Sequence, residues 1–323
     1  MNGLRALRRR VLTPNESQTR LDVRGFHVKD GPSRDRLETV GRSFLTGYGH
    51  AAEAPEPSAA EPHLEEVPRQ YRGFAYEGAG MGFAVRDALP FGRHDHVARF
   101  LAGRGDDHIY MAYIGVGWAM ARVPRFTWPR LYAPDPLLRW LVLDGYGFHQ
   151  AYFRTRRYVH EHFRDPAFPW PVGGPSAYAN RVIDQGIGRA LWFVGGTDAR
   201  HVADLIDTFA PERRGDLYSG AGLAATYAGG AGEDELLAFW DRAGRYRPQV
   251  AQGSSFAAGA RVRAGLVLPQ TDDVTRLFCA MTAEEAAKVN DDALPDPAAT
   301  SEVPSYEVWR RNIADVFVAQ GRC

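Results

Sequence analysis

The stretch Tyr178–Gly196, YANRVIDQGIGRALWFVGG, decides the fold, because its Gly-x-Gly core followed by small and apolar residues occurs six times along the chain. Aligned on the first small residue, the copies start at Gly78 (YEGAGMGFA), Gly115 (YIGVGWAMA), Gly145 (LDGYGFHQA), Gly186 (DQGIGRALW), Gly220 (YSGAGLAAT) and Gly253 (AQGSSFAAG). Successive starts are therefore 37, 30, 41, 34 and 33 residues apart. That period fits two helices plus connections, a unit that cannot bury its own apolar face and must stack on copies of itself. The expectation is an all-α protein, a curved array or toroid of about six helix-pair repeats with Gly-x-Gly inner helices. An open α-solenoid is the competing arrangement.

Helical geometry assigns the faces, since residues four apart share a side and residues two apart lie on nearly opposite ones. With the first glycine as position zero, positions zero and four form one small-residue face. Positions two and six form another on the opposite side. Two such faces suit a helix held between its neighbours with backbones close, at a cost of about 1 kcal/mol in helix propensity per glycine. Positions one and five (Ala79/Phe83, Val116/Met120, Ile187/Leu191) make a third, apolar face for the second helix of each pair.

The fourth face is where function belongs. Position minus one holds Glu77, Ile114, Asp144, Gln185, Ser219 and Gln252, and position three holds Met81, Trp118, Phe148, Arg189, Leu223 and Phe256. If the helices curve round a centre, these residues line an apolar cavity with a polar layer at one depth. Met81, Trp118, Phe148, Gln185, Arg189, Leu223, Gln252 and Phe256 are the expected substrate-binding set. Glu77, Asp144 and Asp184 are candidate acids or bases, since buried carboxylates are costly unless paired and titrate away from their usual range. His149 is the fourth candidate: it occupies position four, where every other copy has glycine or alanine, and imidazole titrates near neutrality. Trp192 breaks the other small column and reads as an aromatic filling a gap.

Composition excludes several classes. The 323 residues carry 39 basic and 39 acidic side chains, so no global field draws the chain to nucleic acid or anionic lipid. Two cysteines, Cys279 and Cys323, rule out a disulfide scaffold or a cysteine-rich metal site and point to a reducing, cytoplasmic setting. No run approaches the ~20 apolar residues of a membrane span. The letters GAGLAA at 220–225 match a dinucleotide fingerprint, but RRGDLYS before them is no strand. The pairs His94/His96 and His160/His162 point apart on a helix and read as exposed helix-end residues. No metal site and no cofactor is assigned.

Residues 1–70 read as a basic start, one helix over RDRLETVGRSFLTGYGHAAEA and a Pro/Glu-rich linker or solvated loop at 54–70; residues 71–323 form the repeat domain. Proline makes the connection at 124–136 extended, and RDPAFPWPVGGPS (164–176) the longest irregular loop. PSYEVWRRNIADVFV is expected to cap the array.

The motifs GFAYEGAGM (73–81), YIGVGWAMARV (113–123), LDGYGFHQAYF (143–153), DQGIGRALWF (184–193), RRGDLYSGAGLA (213–224) and YEVWRR (306–311) resemble a family of unknown function encoded beside iterative enediyne polyketide synthases. The resemblance runs from RRRVLTP and RGF near the start almost to the end. It implies an accessory protein of enediyne biosynthesis that acts on, or sequesters, the synthase's linear polyene product during maturation of the enediyne core. It supplies no reaction, no cofactor and no catalytic residue. A non-catalytic helical scaffold that assembles pathway proteins is the alternative.

Overall fold

The computed structural model describes residues 2–171, 175–296 and 303–321. Every regular element among them is helical and none is a strand. The six motif segments lie on α5 (Arg69–Ala88), α7 (Ile109–Met120), α8 (Leu141–Phe153), α9 (Ser176–Val194), α11 (Pro211–Ala228) and α13 (Arg247–Arg263), and α3 (Gly31–Glu53) is a further long helix before them. Around them lie α1 (Asn2–Leu12), α2 (Leu21–Arg24), α4 (Glu61–Glu65), α6 (His96–Leu101), α10 (Ala199–Asp207), α12 (Glu233–Ala243), α14 (Pro269–Cys279), α15 (Ala283–Asp292) and α16 (Ser305–Ala319). Their ends follow local chemistry. Prolines open α11 and α14, Asp198 accepts two backbone N–H groups at the start of α10, and Thr282 with Glu285 forms a capping box on α15.

The glycine faces fix the stacking order. A methyl added at position zero (Gly78, Gly115, Gly145, Gly186, Gly220 or Gly253) would overlap the carbonyl oxygen of position minus one on the preceding motif helix. A methyl at position two would meet the carbonyl of position minus three on the following one, as Gly80 does at 2.8 Å from Ala112 and Gly222 at 2.6 Å from Val250. Every junction repeats this register, so neighbouring motif helices run parallel, backbone against backbone. Van der Waals contact along their length offsets the propensity cost of glycine.

The register extends one helix beyond the sequence alignment at each end. Gly47 of α3 packs on the Ala75 carbonyl, the same relation that position two makes elsewhere, and Gly78 packs back on Phe44. Helix α3 is thus a further stacked helix, with Leu45 at position zero. At the other end Ser255 replaces the position-two glycine, and its hydroxyl donates 2.8 Å to the Ala286 carbonyl of α15.

Two expectations need correction. The segment 54–70 is no solvated linker: Ala54, Pro57, Ala60, Leu64 and Val67 are buried, and α4 folds within it. Nor does each motif helix have a helical partner. Helices α6, α10, α12 and α14 occupy that role, but α7 to α8 runs through 3-10 turns at 125–130 and 138–140, and α8 leads into a single π turn at 156–160. Prolines 124, 129, 134 and 136 remove the amides a helix would need there. The loop expected at 164–176 lies partly outside the described residues.

Helix α16 packs on α13 through buried Tyr306, Trp309, Ile313 and Phe317, and the Trp309 indole N–H donates 2.7 Å to the Asn290 carbonyl of α15. Trp192 is fully buried, and its N–H donates 2.9 Å to the Gly229 carbonyl, so it fills space at the α9–α11 junction.

Candidate functional site

Positions minus one and three converge on the interior, but they line two chambers instead of one. The first, with a cavity volume of ≈ 60 Å³, is walled by Phe44 and Leu45 of α3, Glu77 and Met81 of α5, Trp118 of α7 and Arg122 just beyond it, Phe148, His149, Tyr152 and Phe153 of α8, and Phe193 of α9. Pro14, Gln18 and Thr19 cover part of it. The second, ≈ 40 Å³, is walled by Met111, Ile114, Leu223, Tyr227, Phe256 and Trp309. Arg189 lines both.

Arg189 divides the interior because it is the one charged residue in the position-three column, and its partners come from two directions. Its Nη1 donates to Asp144 Oδ1 on the preceding helix, and its Nη2 lies 3.8 Å from Glu77 Oε1 across the centre. The amide of Gln185 donates 2.8 Å to the other Asp144 oxygen and 3.2 Å to the Tyr306 hydroxyl. Asp144 is therefore saturated. Beside this cluster Phe74 meets Tyr227 edge to face at 5.1 Å, completing the partition.

Glu77 differs from Asp144 in having Arg189 only at long range. Burial pushes its carboxyl up to about 7, against the pull of Arg189 and with the Asp144 charge adding to the rise. The Trp118 indole N–H lies near enough to lower Glu77 slightly but makes no hydrogen bond. The first chamber thus has in its wall a carboxyl that exchanges its proton near neutrality.

His149 also faces this chamber, packed edge-on against Trp118 at 5.5 Å and against Phe153 at 4.6 Å. It does not titrate near neutrality as expected. Burial, with Arg122, Arg154 and Arg24 nearby, pushes it down to about 3, so the ring is neutral. Its Nδ1 has no hydrogen-bond partner. His149 Nδ1 therefore lies unpaired in a mainly aromatic chamber, a costly state that a bound polar group would relieve, while the Trp118 N–H faces the Glu77 carboxyl.

Of the other expected residues, Met81, Trp118 and Phe148 line the first chamber and Leu223 and Phe256 the second. Gln252 sits outside both, its oxygen accepting 2.7 Å from the Ser219 hydroxyl. Asp184 does not join the other carboxylates. One residue before the inward column, it turns to Arg213, which donates to both its oxygens at 2.6 and 3.0 Å. Burial raises it to about 6 even against that pair.

Of the paired histidines, His94 and His160 are exposed as expected and His162 is half-buried, but His96 departs from that reading. His96 is buried, with Nδ1 2.6 Å from Asp87 and Nε2 2.7 Å from the Arg86 guanidinium. No group of three metal-ligating side chains forms among the described residues. The site residues that sequence reasoning missed include those of α3 and the N-terminal segment, and also Tyr152, Phe153, Phe193, Tyr227 and Trp309. The letters GYGHA at 47–51 were the available signal for α3.

Fold and site together define an all-helical protein built round buried, mainly aromatic chambers. The chain belongs to the DUF1702 family of proteins of unknown function, whose model matches residues 3–317. No curated protein and no solved structure matches it.

Proposed function

We propose that this chain binds an elongated, conjugated apolar molecule carrying one polar oxygen in the first chamber, and that Glu77 exchanges a proton with it there. The carrying observation is the coincidence, in one mainly aromatic chamber, of a carboxyl held near 7 with the Trp118 N–H beside it and the unpaired nitrogen of His149. Flat π-systems stack on Trp118, Phe148 and Phe44, whose rings already lie 4.4–5.1 Å apart. The Trp118 N–H donates to the ligand oxygen, and neutral His149 completes its hydrogen bonds. Protonated Glu77 gives up its proton to a developing oxyanion or carbanion, and its carboxylate takes one back.

On this reading the stacked motif helices form a curved array closing on a central site, with a helical partner at four of them. The biological role is accessory: maturation of an enediyne core from the linear polyene product of the polyketide synthase, in the cytoplasm, by catalysis or by sequestration. The sequence motifs support the pathway, and the chamber supports the ligand class. A scaffold would present its inward columns as an open groove, whereas these side chains are almost all buried. Deleting the gene in a producing strain tests the role. Accumulation of a polyene-derived species, not reversed by a Glu77→Gln copy, is expected; an unchanged metabolite profile would contradict it.

A further inference from the structure

The described residues contain four large apolar side chains that are more than half exposed: Leu7 at 55%, Val11 at 71%, Phe91 at 88% and Phe126 at 80%. They are far apart in sequence yet belong to one end of the molecule, where α3, α5 and α7 terminate. Helix α1 lies on the last turn of α3, held by Arg8, which donates to the Ala52, Glu53 and Ala54 carbonyls, and by Arg9 on Glu53. Arg86, in the last turn of α5, donates to the same Ala54 carbonyl, and Phe91 follows five residues later. Thr127, beside Phe126, and Tyr132 line one small pocket together with Asp87 and Ala88 at the end of α5.

Helix α1 is inverted relative to an ordinary surface helix. Two of its arginines bind the protein, while Leu7 and Val11, one turn apart, point to solvent. Arg5 and Arg10 of the same helix, and Arg122 and Arg130 at the ends of the neighbouring elements, have no acidic partner among the described residues. Exposed leucine, valine and phenylalanine rimmed by unpaired arginine is the chemistry of an interfacial, monotopic contact with anionic lipid. The chain's zero net charge does not oppose this, because the field that matters within a Debye length is local.

We propose that this end of the protein docks reversibly on an anionic lipid bilayer, with Leu7, Val11, Phe91 and Phe126 entering the interface and the unpaired arginines contacting phosphate headgroups. No helix among the described residues is long and apolar enough to cross a membrane, so the proposed contact is peripheral. Exposed Arg122 also lines the first chamber, so the chamber reaches the surface on this face. Entry of an apolar ligand from the bilayer would follow; that link rests on the ligand reading, whereas the docking does not.

Flotation of the full chain with phosphatidylglycerol–phosphatidylcholine vesicles, and with phosphatidylcholine alone, tests the proposal. Binding to the anionic vesicles is expected, falling at high salt. The Leu7→Asp/Val11→Asp variant and, separately, the Phe91→Ser/Phe126→Ser variant should each reduce it about tenfold or more with an unchanged melting temperature. Absence of binding, equal binding to neutral vesicles, or full binding by both variants overturns it. So does a wild-type dimer that either variant converts to monomer without any vesicle binding, which would make a second copy the occupant. None of these outcomes depends on whether the chamber binds a ligand.

Discussion

Gly186 of α9 lies with its bare Cα against the carbonyl oxygen of Asp144 on α8, so that a methyl group there would overlap the oxygen. The obstacle is backbone, which cannot rotate away. Gly186→Ala should therefore cost more than about 3 kcal/mol, as overpacking at a rigid contact does, or abolish folding. Gly215, in α11, has nothing closer than 3.7 Å to the same added methyl. There alanine should be neutral or stabilise by up to about 1 kcal/mol through helix propensity. Urea denaturation of the two variants compares them directly.

The repeat was legible in the sequence because that backbone contact requires glycine, and a required residue leaves a period. The position-three column followed by geometry and lines the two chambers, whereas of position minus one only Glu77 and Ile114 do. Helix α3 escaped because its position zero is Leu45, with no preceding motif helix to exclude a side chain. The division into two chambers was not legible, since it depends on Arg189 reaching Glu77 across the centre, a pairing with no local sequence signature. Asp184 was misplaced for a simpler reason: one residue is about 100° round a helix, which is enough to turn it from the centre to Arg213.

Arg189 and Asp144 form a buried pair whose removal depends on which partner goes. Arg189→Leu alone leaves Asp144 without its guanidinium and should cost about 3–5 kcal/mol. The double variant Arg189→Leu/Asp144→Ile places apolar side chains at the positions that hold Phe148 and Ile114 one junction earlier. It should recover most of that loss. Thermal melts of the single and double variants give the coupling.

Replacing His149 by alanine restores the small residue found in the other copies. It loses edge-on packing against Trp118 but also removes an unpaired buried nitrogen. The cost should be about 1–2 kcal/mol, below the ~2–5 kcal/mol of an ordinary core truncation. Loss of ligand binding with a nearly unchanged melting temperature would mark His149 as part of the site. Retained binding, or loss through unfolding, would make it structural.

Stability should depend on pH through both chamber groups, with opposite signs. Glu77 titrates at about 7 in the folded chain against an ordinary 4.5, so between those values the folded state holds the extra proton. Stability therefore falls as pH rises through that window, and Glu77→Gln should gain relative to wild type from pH 5 to pH 8, by roughly 3 kcal/mol at most. His149 is held at about 3 against an ordinary 6.5, so the unfolded chain takes up the proton first. Its contribution is lost as pH falls below about 6.5, and His149→Ala should flatten that acid limb. Denaturation curves at pH 5, 6 and 8 separate the two.

The central claim, that the first chamber holds a conjugated apolar ligand, is tested most directly by fluorescence titration with a conjugated tetraene fatty acid. Leu45, half-buried on the chamber wall and free of the glycine contacts, is the residue to enlarge. Saturable binding at one ligand per chain, abolished by Leu45→Trp in a protein with an unchanged circular dichroism spectrum, is the predicted result. No saturable binding, or equal binding by wild type and Leu45→Trp, would contradict it.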